Sequence, residues 1–134
     1  MYELLEIKEY EATRDLFLQN VETKTINMCF DDSDVVSEKN NFDFMEIGKK
    51  YDCKIVLFGD TNLMNIGEQV ECFVLDSNVK VGTKSLVKVR VDTDVYYVYK
   101  NSVFDHPLAE KFMFEYTRKD LIQVDNVTHE DLLV

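Results

Sequence analysis

The sequence predicts an all-β fold: a small antiparallel β-barrel in a single domain (1–134), with room for one short helix. Three observations lead there. Leu86-Val87-Lys88-Val89-Arg90-Val91 alternates strictly, with the valines on one face and the two bases on the other. Short apolar runs of this kind recur between clusters of Asp, Asn, Ser, Thr and Gly. A chain of 134 residues also has few to spare for covering the edges of an open sheet, which favours closure.

Taken in order, Tyr2–Tyr10 reads as a first strand with Leu5 and Ile7 inward, a short helix being the alternative. Leu16-Phe17-Leu18-Gln19 pairs with Thr25–Phe30 across the turn Asn20–Thr23, and Ile26, Met28 and Phe30 share one face. Residues 31–43 form a polar, acidic loop without periodicity. Tyr51, Cys53, Ile55 and Leu57 line one side of a strand that Gly59-Asp60-Thr61-Asn62 stops. Val70, Cys72 and Val74 alternate with Glu71 and Phe73 as far as Asp76-Ser77-Asn78. After Val91, Asp92-Thr93-Asp94 is a hairpin-sized gap before Val95–Tyr99. Pro107–Lys111 is the place for a helical turn. Phe112–Tyr116 and Leu121–Val124 form a last pair around a Thr117–Asp120 turn. Residues 125–134 are a flexible tail that orders only Leu132-Leu133. Gly48, Gly59, Gly67 and Gly82 each mark a turn or bulge.

Charge is the unusual bulk property. The formal net charge is −11, and residues 1–46 alone carry 12 acids against 4 bases. Such a field disfavours nucleic acid and anionic membrane, aids solubility and speeds encounter with a basic partner. No run approaches the roughly 20 apolar residues that span a bilayer. Met1–Glu6 carries acids where a leader carries bases, so the chain is read as cytoplasmic. Cys29, Cys53 and Cys72 are odd in number, far apart and set among apolar residues, and are read as buried free thiols.

Motifs for chemistry are sparse. His106 and His129 lie in polar loop or tail sequence, with no nucleophile elbow, no Cys-x-x-Cys and no glycine-rich phosphate loop. The chain is therefore read as non-enzymatic, with no catalytic residue, no cofactor and no metal. Asp31-Asp32-Ser33-Asp34 followed by Glu38 is rich in carboxylate, but its spacing lacks the glycine and ligand register of a calcium loop.

Two surfaces stand out. The first is acidic, with Asp31, Asp32, Asp34, Glu38, Asp43 and Glu46 and with Phe42 and Phe44 as aromatic anchors. It marks an interaction or inhibitor module for a basic protein surface, since immunity proteins, nuclease inhibitors and DNA mimics share this small, acidic profile. The second sets Lys80, Lys84, Lys88, Arg90 and Lys100 beside Tyr96, Tyr97 and Tyr99. From it, Lys88, Arg90, Tyr96 and Lys100 make the alternative face, for a small ligand or single-stranded nucleic acid. The strand count resembles that of OB-like and SH3-like barrels, a likeness of fold and not of function.

Overall fold

In the computed structural model, residues 1–103 and 110–134 are described. They form ten strands in one continuous sheet. The strands are β1 (Tyr2–Glu9), β2 (Arg14–Asn20), β3 (Ile26–Asp31), β4 (Lys50–Tyr51), β5 (Cys53–Asp60), β6 (Glu68–Val81), β7 (Lys84–Val91), β8 (Asp94–Tyr99), β9 (Lys111–Val124) and β10 (Val127–Thr128). One helical turn, α1 (Ser33–Val36), follows β3.

Five strands close a barrel in the order β9-β5-β8-β7-β6 and back to β9. Its neighbours are antiparallel except β5 and β8, which meet in parallel at Val56 and Tyr97. The β1–β2–β3 meander joins the barrel through a parallel pairing of β3 with β9, and β4 adds to its far edge.

Burial follows the alternation where it is strictest. Val87 and Val89 are fully buried and Val91 packs against the same cluster, with Cys53, Ile55, Leu57, Tyr96, Val98 and Phe114. A second, smaller core lies on the opposite face of the barrel wall: Val56, Val81, Leu86, Tyr97, Ile122 and Leu132. The C-terminal segment supplies that cover, so residues 125–134 are ordered well beyond Leu132-Leu133. β10 pairs with β9, Leu132 is buried and Leu133 is exposed. The Gly82 turn receives the tail, with the Thr83 amide donating to the Leu132 carbonyl at 2.6 Å. Gly82 has φ +60°, and a Cβ there would lie 2.1 Å from that carbonyl oxygen.

Three expectations need correction, and one strand face is assigned its side. Leu5 occupies a bulge in β1, so Leu4 is the fully buried residue, and Ile7 packs against the core beyond it. The Ile26, Met28 and Phe30 face of β3 is the outer one: Ile26 and Met28 are exposed, whereas Asn27, Cys29 and Asp31 are buried. Thr117–Asp120 is no turn, because β9 runs unbroken through it. The acidic loop begins with the last residue of β3 and contains α1. His106 and most of the Pro107–Lys111 turn lie outside the described residues.

The path of β9 shapes the mouth of the barrel. Opposite Phe58–Gly59 its register shifts by one residue, and Thr117 is the extra one. The bulge resets the alternation, so Tyr116 and Lys119, three apart, line the same cavity at the barrel mouth. Gly59 permits the close approach, since a Cβ there would lie 1.8 Å from the Glu115 carbonyl oxygen.

Candidate functional site

The acidic surface is built around a buried ion pair. Arg14 on β2 reaches Asp31 at the end of β3 with Nη2 at 2.7 Å and Nε at 3.1 Å from Oδ2. The same guanidinium donates to the Phe42 carbonyl at 3.1 Å. Asp31 in turn accepts from the Ser33 amide at 2.9 Å, and Ser33 Oγ accepts from the Phe42 amide at 3.0 Å. Short polar side chains thus satisfy the loop's backbone in place of a strand ladder.

Asp31 and Phe42 are therefore interior residues and not contact residues: they are 2% and 0% exposed. A charge pair on the inside of the loop and an aromatic plug in the core replace the surface roles expected of them. Asp34, Glu38, Asp43, Phe44 and Glu46 are exposed. Phe44 packs edge-on against Tyr51, whose hydroxyl accepts from the Glu46 amide at 2.7 Å.

Above the ion pair lies a concavity of about 330 Å³, lined by Glu9, Tyr10, Glu11, Arg14, Asp34, Val35 and Asp43 among others. Glu9 ends β1 and Glu11 follows in the β1–β2 connection, and neither had a signal in the sequence beyond general acidity. A hydrogen bond between the Asp34 and Asp43 carboxyls, then desolvation and their mutual repulsion, hold Asp43 above the usual carboxylate range, with Arg14 opposing. Arg14 also approaches Asp43 at 3.9 Å.

Asp32 turns to a different partner. Its Oδ1 lies 2.6 Å from Nε2 of buried His129, whose Nδ1 accepts from the Asp131 amide at 3.0 Å. An accepting Nδ1 places the ring proton on Nε2, which donates to Asp32. Asp32, His129 and Asp131 offer metal-ligating atoms within 4.8 Å of one another. Both ring nitrogens are nevertheless committed, Nε2 tying the tail to Asp32 beside α1 and Nδ1 capping the tail's own turn, and the adjoining Arg118–Asp120 pair brings a cation to the same hollow. Arg118 is itself sandwiched between Phe30 and Phe58, at 4.4 and 4.6 Å from their centroids.

The alternative basic face does not assemble. Lys88 and Arg90 point outward from β7, Lys100 is exposed, and Tyr96 is buried with its hydroxyl donating to Asn27 Oδ1 at 2.6 Å. Val89 pairs with Tyr96 while Lys88 pairs with Tyr97, so the barrel wall separates the bases from Tyr96. Arg90 instead stacks on Phe73 at 4.6 Å.

Two polar features were invisible in the sequence. Glu115, 4% exposed, accepts from four consecutive backbone amides, Met64 to Gly67, and from Gln69. Lys119 faces the barrel mouth beside Asn27, Tyr96 and Tyr116. The three cysteines are free and buried, and burial pushes their thiols up, Cys53 and Cys72 to about 12. Among the described residues no helix is long and apolar enough to cross a membrane. The chain matches no protein-family model, no curated protein and no solved structure.

Proposed function

We propose that the protein is a non-enzymatic interaction module, of inhibitor or immunity-like character, that receives a basic partner at the acidic concavity. The observation that carries this reading is the lining itself. Glu9, Glu11, Asp34 and Asp43 converge on one hollow whose nearby base, Arg14, is engaged by Asp31. Tyr10 and Val35 are 58% and 63% exposed there, which adds apolar contact area to the charge. The crowding of Asp34 against Asp43 favours an incoming cation, because a guanidinium or ammonium between them removes their repulsion. Three buried free thiols suit a reducing, cytoplasmic setting.

The test is a pull-down from cell extract at low and high salt. The parent is compared with a variant carrying Glu9→Gln, Glu11→Gln, Asp34→Asn and Asp43→Asn. A basic protein retained by the parent, and lost both at high salt and by the variant, supports the reading. A partner that survives both changes places the interface elsewhere.

A further inference from the structure

The cavity at the barrel mouth contains an amine that the interaction reading leaves unused. Lys119 Nζ lies 2.7 Å from Asn27 Oδ1 and 3.5 Å from the Tyr96 hydroxyl, and forms no ion pair among the described residues. It sits 5.1 Å from the Tyr96 ring centroid and 5.7 Å from that of Tyr116. The Asn27 amide is fully buried and its Nδ2 has no hydrogen-bond partner among the described residues. It does not gain by turning round, since its nitrogen would then face the Lys119 amine and the oxygen contact would be lost. The amine is thus positioned by acceptors and aromatic faces and not by a carboxylate.

The hollow it lines has a volume of about 250 Å³ and an apolar wall of Leu57, Val70 and Val91. Glu68, Asp92 and Asp94 stand around the same space. Two of these acids are occupied: Asp94 accepts from Thr23 and Thr25 at 2.6 and 2.7 Å, and Glu68 accepts from the Tyr116 hydroxyl. Three carboxylates repel an anionic ligand, and two of them are held by hydroxyl donors, so the group left for a ligand's oxygen-bearing carbon is the amine. A neutral molecule with an apolar body and one polar oxygen is the class that fits.

We propose that this cavity binds small neutral aldehydes or ketones, and that Lys119 condenses reversibly with their carbonyl carbon. The Nζ lone pair attacks the carbon to give a carbinolamine. Its hydroxyl then leaves as water, carrying off the two protons lost by nitrogen, and a C=N bond forms. The step needs neither oxidant nor reductant. Burial lowers the proton affinity of Lys119, against the opposing pull of Cys29, Glu68 and Asp94, which enlarges the neutral, nucleophilic fraction.

The experiment incubates the full chain with benzaldehyde and cyanoborohydride, whose hydride fixes any imine as a secondary amine. Peptide mapping by mass spectrometry then reads modification at each lysine. Labelling of Lys119 at least about tenfold faster than the exposed lysines supports the proposal. Even labelling of the surface lysines with Lys119 among the slowest overturns it, and the mapping of the parent decides this without any variant. Equal protection of Lys119 by benzoate and by a neutral ketone overturns the preference for neutral ligands. Neither result bears on the acidic concavity, which Lys119 does not line.

Discussion

Arg14 and Asp31 form a pair whose side chains are 13% and 1% exposed, and this pair is the floor of the acidic concavity. It joins β2 to β3 where the register sets the two residues opposite each other. Through the Phe42 carbonyl it also fixes the loop that carries Asp34 and Asp43. The acidic surface therefore stands on one neutralised carboxylate, with Glu9, Glu11, Asp34 and Asp43 lining the hollow above it.

Removing one side of that pair is expected to be costly. Arg14→Leu leaves the Asp31 carboxylate buried and unpaired, with a loss of about 3–5 kcal/mol. Chemical denaturation of parent and variant measures it. A change within about 0.5 kcal/mol, the size of an ordinary surface substitution, means that Asp31 reaches water and the floor is not closed.

Val89 tests the barrel interior. It is fully buried on the face shared with Tyr96, so Val89→Asp places a charge without a partner among apolar side chains. A loss of at least about 3 kcal/mol is expected. A thermal melt matching that of the parent contradicts the assignment of this face.

Glu115 gives a prediction in pH. Desolvation works to raise its pKa, but the amides of Ile66, Asn65 and Met64 and the Gln69 side chain outweigh it and hold the group below 4.5. A carboxyl depressed in the folded state contributes stability that is fully present above its unfolded value and is lost as pH falls through the folded one. The advantage of the parent over Glu115→Gln should accordingly be constant from neutral pH down to about 4.5 and shrink below it. Hydrogen exchange at the amides of Met64–Gly67 reads this locally. An advantage that persists unchanged to pH 2 contradicts the account.

The thiols make a prediction about access. Cys29, Cys53 and Cys72 are all buried, and burial raises each thiol above its ordinary value. Native labelling should be slow and should reach three per chain only on denaturation. Rapid labelling of all three in the folded protein contradicts their burial.

What the sequence revealed, and what it hid, divides along a physical line. Val87, Val89 and Val91 were legible because an apolar face against a basic one has a single sensible orientation. Ile26, Met28 and Phe30 share one face as expected, but it lies outward because the polar residues between them have partners far along the chain. Asn27 meets Tyr96 and Lys119, and Asp31 meets Arg14. Polar side chains satisfied at long range invert the usual reading of alternation. The charged Arg118-Lys119-Asp120 run looked like a turn for the same reason. In the fold, Lys119 enters the mouth cavity, while Arg118 and Asp120 pair on the other side. Of the acids that line the concavity, Asp34 and Asp43 belong to the acidic run singled out in the sequence. Glu9 and Glu11 were not, because only the β1–β2 hairpin brings them over the loop.

The central claim is that the concavity receives a basic group, and a nuclear magnetic resonance titration of the full chain with a short arginine-rich peptide tests it most directly. Amide shifts should concentrate at Glu9–Arg14, Asp34–Val35 and Asp43. Affinity should fall as salt shortens the screening length from about 10 Å at 0.1 M. It should also fall as pH drops, beginning above the usual carboxylate range, because Asp43 takes up its proton early. Asp34→Asn with Asp43→Asn should abolish the local shifts, whereas Glu22→Gln on the opposite turn should leave them intact. Shifts scattered evenly over the acidic surface, or unchanged in the double variant, would contradict the claim.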